Sequence, residues 1–191
     1  MESQMDLTVS ARILCFIIFS LIFLKISWKP LQNKKCHGFY RFFVFEGILS
    51  LLMLRIEVWF KDPFSITHII SWIFLFLSAT IVIQGLHLLK KIGGQTDRKN
   101  GAENFSFENT ANLVEEGIFR HIRHPMYTSL LFLAWGIAFK QLTLLSILLA
   151  LATSMALFAT AQIEEKENIS YFGEQYKSYM TRTKMFVPFL M

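Results

Sequence analysis

Between Asp62 and Lys90 the chain carries no Asp, Glu, Lys or Arg, and residues 66–89 are almost continuously apolar. As a helix rising ~1.5 Å per residue, that stretch is long enough to cross the ~30 Å hydrocarbon core of a bilayer. Hydrocarbon offers no partners for backbone N–H and C=O groups, so a run of this kind pairs them internally as a helix. Four further apolar runs accompany it, at roughly 13–24, 39–60, 125–139 and 142–163. Composition agrees: of 191 residues 53% are hydrophobic, 20 are Phe and only 17% are charged. The mean hydropathy is +0.43. These features predict an all-α, polytopic integral membrane protein with five transmembrane helices in one domain, 1–191. Residues 1–90 supply three helices; residues 91–191 supply a loop, a helical hairpin and a C-terminal amphipathic helix.

The net charge of +5 is a topology signal, because the cations lie between the apolar runs. One side collects Lys25, Lys29, Lys34, Lys35 and Arg41, then Lys90, Lys91, Arg98, Lys99, Arg120 and Arg123, then Lys166, Lys177, Arg182 and Lys184. The other side has Arg12, Lys61 and Lys140. By the positive-inside rule the N-terminus is outside and the C-terminus cytoplasmic. No aromatic-interleaved basic surface or nucleic-acid motif occurs, which argues against a nucleic-acid partner. The first run is preceded by acidic residues and lacks a small-x-small cleavage site, so it reads as a retained helix rather than a signal peptide. Cys15 and Cys36 show no CxxC and no metal-type spacing, so neither a disulfide nor a metal site is expected.

The spans carry some polar cargo. Glu46, Gln84 and His87 either hydrogen-bond between helices or meet a substrate or cofactor. Residues 90–110 form the longest polar segment, and Gly93-Gly94 with that length raises the idea of a lid.

The most chemically loaded stretch is Gly117-Ile118-Phe119-Arg120-His121-Ile122-Arg123-His124-Pro125-Met126-Tyr127. Proline suits the first turn of a helix and pushes the preceding residue out of the α region. Pro125 therefore starts a helix, with Arg123 and His124 just outside it. The positive helix end and the guanidinium suit an anionic group; a basic anchor on lipid phosphates is the plainer reading. The helix that follows, 125–139, measures only ~22 Å. Lys140-Gln141 then turns the chain into 142–163, which brings Glu164 and Glu165 back beside Arg123, His124 and Tyr127. That cluster is either a site or an ion-pair lock on the hairpin. Beyond it, Ile169, Phe172, Tyr176 and Tyr179 recur at helical spacing, as in an interfacial amphipathic helix. The apolar tail 185–191 is expected to fold back on the bundle or membrane.

Arg123-His124-Pro125-Met126-Tyr127-Thr128-Ser129, the apolar hairpin and Glu164-Glu165 resemble the signature of the isoprenylcysteine carboxyl methyltransferase family, within a wider group that includes phospholipid methyltransferases. Leu113-Val114…Gly117 and Tyr171-Phe172-Gly173-Glu174-Gln175-Tyr176 match as well, so the resemblance covers about residues 112–191 and is nearest in size to compact prokaryotic members. It implies a membrane methyltransferase that uses S-adenosylmethionine, releases S-adenosylhomocysteine and takes a lipophilic small molecule or prenylated peptide from the bilayer. By the same resemblance Asn112, Leu113, Val114, Gly117, Phe119, His124, Pro125, Tyr127 and Glu164 are cofactor-binding, with Leu113 and Val114 flanking the adenine. Arg123 and Glu165 are the catalytic expectations, Arg123 facing the donor carboxylate and Glu165 serving as base for an amine acceptor. Asn112 and Phe119 replace a His and a Tyr common in the family. Thr160 stands where eukaryotic prenylcysteine enzymes have an Arg proposed to meet the acceptor carboxylate. Carboxyl methylation of an isoprenylcysteine-like substrate is the leading expectation. Phospholipid N-methylation, an NADPH-dependent reductase of sterol-reductase type and a non-enzymatic bundle are the alternatives.

Overall fold

The computed structural model describes residues 2–94 and 109–188, with side chains from residue 9 onwards. Six α-helices follow one another: α1 (Glu2–Ile26), α2 (His37–Arg55), α3 (Ile66–Leu88), α4 (Pro125–Ala138), α5 (Leu144–Phe172) and α6 (Glu174–Arg182). Short 3-10 turns at Pro30–Gln32, Ile56–Val58 and Gly117–Arg120 and a π turn at Leu89–Gly93 join them. Among the described residues there is no β-strand beyond one isolated bridge, Ile122 to Lys184. Three helical segments are long and apolar enough to cross a membrane: Val9–Ile26, Ile66–Gly93 and Leu144–Phe172. This is the architecture of an integral membrane protein. α4 is apolar but short, and α2 carries Arg41, Glu46 and Arg55.

Local sequence chemistry sets the helix ends. Ser65 caps α3 by accepting from the His68 N–H, and Thr143 with Ser146 forms a capping box at the start of α5. Pro125 opens α4. α5 runs well past the expected 163 and ends at Gly173, whose φ of +62° is cheap only for glycine. Glu164 and Glu165 therefore sit inside a continuous helix, and Ile169 and Phe172 belong to α5. The amphipathic helix shrinks to α6. α2 stops at Arg55, short of residue 60, and tightens into the 3-10 turn Ile56–Val58.

The bundle is paired in a way the hairpin expectation missed. α4 packs chiefly on α3 and α5 chiefly on α2, while α1 touches α2 alone among the helices. Buried hydroxyls stitch α3 to α4: Ser71 Oγ donates to Gly136 O at 2.6 Å and Ser78 Oγ to Ser129 O at 2.7 Å. Gly136 itself lies so close to α3 that a Cβ would meet the Leu75 side chain at 3.0 Å. Glu46 accepts from Ser20 Oγ at 2.9 Å, so it ties α1 to α2. Gln84 and His87 are exposed.

The two ends of the bundle differ. At one, the α4–α5 turn is closed by Lys140, whose buried ammonium lies 3.2 Å from the Trp72 ring centroid. Arg55 reaches from α2 to Gln141 Oε1 at 2.7 Å and to Thr143 Oγ1. At the other end Val44, Tyr127, Leu157, Ala161 and Phe186 form a core cluster. Phe186, 5% exposed, returns the chain against the bundle as expected for the tail. The segment with Arg98, Lys99 and residues 104–107, including most of the suggested lid, lies outside the described residues.

Candidate active site

The Arg123 turn is held by the chain's own C-terminal segment. Arg123 N donates to Lys184 O at 2.8 Å, Lys184 N to His121 O at 3.0 Å and His124 N to Met185 O at 3.1 Å. Thr128 Oγ1 adds a bond to Phe186 O at 2.9 Å. The Arg123 side chain continues this theme. Its Nε donates to Glu165 Oε1 at 2.6 Å, and its Nη1 donates to Met180 O at 3.2 Å and to Thr183 O. His124 Nε2 approaches the same Glu165 oxygen to 3.4 Å. Arg123 and Glu165 are thus brought together as expected, but as a buried pair that anchors residues 180–186 to the head of α4.

Glu164, one residue earlier, points the other way. Its Oε2 accepts from the Tyr127 hydroxyl and its Oε1 from Asn168 Nδ2 at 3.5 Å. Tyr127 in turn stacks on His124, with ring centroids 5.4 Å apart and 15° between planes. Glu164 borders a cleft between α3, the 110–119 segment, α4, α5 and α6. Its apolar wall is Leu89, Leu113, Val114 and Met126, and its rings are Phe119, His124, Tyr127, Phe172, Tyr176 and Tyr179. Arg123, Pro125, Thr110 and Asn168 complete the lining. Phe172 and Tyr176 stack at 6.3 Å and 16°. Tyr179 is fixed by a 2.6 Å bond from its hydroxyl to Phe119 O. Burial pushes the Tyr176 and Tyr179 phenols above their usual range, and for Tyr176 the nearby Glu164 and Glu165 charges add to this. Both therefore stay neutral donors.

Of the expected cofactor residues, Leu113, Val114, Phe119, His124, Pro125, Tyr127 and Glu164 line this cleft, as does Arg123. Asn112, Gly117 and Glu165 are not in its lining. Asn112 Nδ2 donates to Ile92 O at 3.3 Å, which ties the 109–114 strand of chain to the end of the α3 extension. Gly117, at φ +57°, fits the turn under Leu88, where a Cβ would meet Cδ1 at 2.7 Å. The expectations lacked Leu89, Thr110, Met126, Asn168, Phe172, Tyr176 and Tyr179. Asn168 was within reach of sequence reasoning, being one helical turn beyond Glu164, had α5 been carried through residue 172.

The donor set suits a nucleoside that carries a cationic sulfur. A carboxylate held by two hydrogen bonds complements ammonium or sulfonium, aromatic faces attract the same cations, and apolar walls accommodate a purine. The space among the described walls is about 80 Å³, below the ~300–1,000 Å³ usual for ligand pockets. Binding of such a molecule requires the walls to part, and the α6 side is held by few elements.

Comparison with known proteins bears on the same region. Residues 66–175 match the family described as phospholipid methyltransferase. A methanethiol S-methyltransferase of Pseudomonas deceptionensis is 32% identical over 73 residues, 38% of this chain and 27% of that protein. Methanethiol S-methyltransferase 1 of Bradyrhizobium diazoefficiens is 30% identical over 71 residues, 37% of this chain and 24% of its own length. One from Crocosphaera subtropica is 26% identical over 72 residues, 38% of this chain and 28% of its own. The matched segment thus spans about a quarter of these curated relatives. No solved structure matches. With more than half of its length covered, from the start of α3 through the end of α5, the chain belongs to the phospholipid methyltransferase family.

Proposed function

We propose that the chain transfers a methyl group from S-adenosylmethionine to a lipophilic acceptor at the cleft around Glu164. The carrying observation is the Glu164 carboxylate, fixed by Tyr127 and Asn168 and ringed by aromatic side chains. In this reading Glu164 holds the cationic end of the cofactor, Leu113 and Val114 flank its adenine, and Phe119, Tyr176 and Tyr179 close over it. When bound, the cofactor supplies a methyl group on a positively charged sulfur, already activated for displacement. The protein's part is then proximity, in-line alignment and exclusion of water. Arg123 and Glu165 act by holding the C-terminal segment in place as one wall. Family membership favours this reading over the reductase.

For the acceptor, two readings carry an observation each. The relatives named as methanethiol S-methyltransferases favour a small thiol. The resemblance over residues 112–191 favours the carboxylate of an isoprenylcysteine-like substrate. Thr160 weighs towards the thiol: it is fully buried and donates to Ala156 O at 2.7 Å, so that position offers no cation for a carboxylate. The topology completes the reading, with five spans, α2 and α4 included, the N-terminus outside and the cleft cytoplasmic.

Calorimetric titration of detergent-purified protein with S-adenosylhomocysteine tests the site. Binding by the natural chain, lost in Glu164→Gln, supports it. A folded protein that does not bind S-adenosylhomocysteine refutes it.

A further inference from the structure

A second cluster of chemistry-bearing side chains lies away from the cleft lining, where the start of α2 meets α5. Cys36, His37 and Glu167 place a thiol sulfur, an imidazole nitrogen and a carboxylate oxygen all within 4.8 Å of one another. Cys36 and His37 are buried, 6% and 0% exposed, while the Glu167 side chain is 33% exposed. Cys36 is the N-cap of α2, and its sulfur accepts from the Gly38 N–H at 3.4 Å. It stands at the positive end of a 19-residue helix, beside Lys34 and Lys35, where a negatively charged sulfur is favoured. His37 Nδ1 donates to Glu167 Oε2 at 2.6 Å, and the His37 backbone N–H bonds Glu167 Oε1 at 3.1 Å. Arg41 Nη1 faces the other ring nitrogen, Nε2, at a long 3.4 Å.

We propose that Cys36, His37 and Glu167 form a binding site for a divalent, borderline-soft transition metal such as zinc. One thiolate, one imidazole and one carboxylate are a donor set that zinc takes in four-coordinate sites, and the exposed flank of Glu167 leaves the fourth position to water. Softer thiolate-only chemistry and hard oxygen-only chemistry are both excluded by this mixture. The balance is simple. Metal capture releases the Cys36 thiol proton; the His37 proton moves from Nδ1 to Nε2 as Nδ1 takes the metal. Arg41, whose contact to Nε2 is the longest in the cluster, turns away. The Nδ1–Oε2 separation then opens from a hydrogen-bond distance to the spacing of two ligands on one ion.

The site would fasten two segments 130 residues apart in sequence. Glu167 lies one turn beyond Glu164 and next to Asn168, so the metal would stiffen α5 where it forms the cleft wall. The inference stands on this geometry alone and does not depend on the methyl-transfer reading.

Cobalt(II) and zinc(II) titration of the purified full chain is the test. Cobalt is expected to give a near-ultraviolet thiolate-to-metal charge-transfer band and visible bands of tetrahedral intensity, saturating at one equivalent. Zinc should displace it, and binding enthalpies in buffers of different ionisation heat should report about one proton released. Cys36→Ser should abolish the charge-transfer band. Glu167→Gln, which keeps a carbonyl oxygen for the His37 backbone N–H, should weaken zinc by at least the ~10–100-fold that losing an outer partner of a metal ligand costs. On the natural chain, zinc should slow maleimide labelling of Cys36 more than tenfold (~10-fold at minimum, from the same magnitude) and leave Cys15 unchanged. Absence of both the band and the protection in the natural chain overturns the proposal and leaves Arg41, His37 and Glu167 as a hydrogen-bonded clamp. A band that persists in Cys36→Ser overturns it too, as adventitious metal elsewhere.

Discussion

Arg123→Ala is the substitution whose effect follows most directly from the geometry. The guanidinium is about a tenth exposed, as is the Glu165 carboxylate it meets at 2.6 Å. Removing one partner of a buried pair strands the other and costs about 3–5 kcal/mol. The carbonyls of Met180 and Thr183 lose donors as well, but that loss is not simply additive, because the freed segment reaches water. For a chain of this size the total corresponds to a fall in Tm on the order of 10 °C. Arg123→Lys keeps a charge for Glu165 but cannot fork to both carbonyls, so about 1.5–3 kcal/mol should be lost. Adding Glu165→Ala to Arg123→Ala should restore part of the stability, since the stranded charge is then gone. Thermal unfolding in detergent reads the stability, and tryptic cleavage after Arg182 and Lys184 reads whether the C-terminal segment has detached. An Arg123→Ala protein that melts with the natural chain and keeps its tail protected would refute the anchoring role.

Three other perturbations follow from single contacts. Tyr127→Phe removes the hydroxyl that Glu164 accepts; a hydrogen bond to a charged group is worth ~1.5–3 kcal/mol, so S-adenosylhomocysteine affinity should fall about tenfold or more by calorimetry. Gly117→Ala puts a side chain at φ +57° and against Leu88, which should cost at least ~1–2 kcal/mol in denaturant unfolding. At alkaline pH the buried Tyr176 and Tyr179 phenols stay protonated in the folded state but ionise in the unfolded chain above the ordinary value of 10.0. Their raised folded values mean the associated stability is intact below about pH 10 and falls above it, by ~1.4 kcal/mol per pH unit for each group. Tyr179→Phe should flatten that decline in a pH series of melting curves.

Sequence legibility varied by element, for physical reasons. The long apolar helices were visible because uninterrupted apolar length in a bilayer admits one secondary structure. The site's position was visible too: proline fixes a helix start, and the returning run puts Glu164 and Glu165 at the same end. What each carboxylate does was not visible, because adjacent residues on a helix point about 100° apart and only packing decides which faces the cleft. The α3–α4 and α2–α5 pairing was hidden for a similar reason, as it depends on close approach at Gly136 and on hydroxyls such as Ser71 and Ser78 that any hairpin could carry. Tyr176 and Tyr179 looked like membrane-facing residues because a helix stripe does not say whether lipid or protein covers it. The Cys36–His37–Glu167 cluster joins residues 130 positions apart, beyond any spacing rule.

The central claim is methyl transfer from the Glu164 cleft, and one experiment addresses it most directly. Purified protein in liposomes is supplied with S-adenosylmethionine labelled at the methyl group and with methanethiol as the probe acceptor, and labelled thioether is collected. The account predicts label in the thioether for the natural chain and about tenfold or more less for Glu164→Gln. An isoprenylcysteine analogue supplied in parallel separates the two acceptor readings. Folded protein that binds S-adenosylhomocysteine yet moves no label to thiol, carboxylate or membrane lipid would contradict the account.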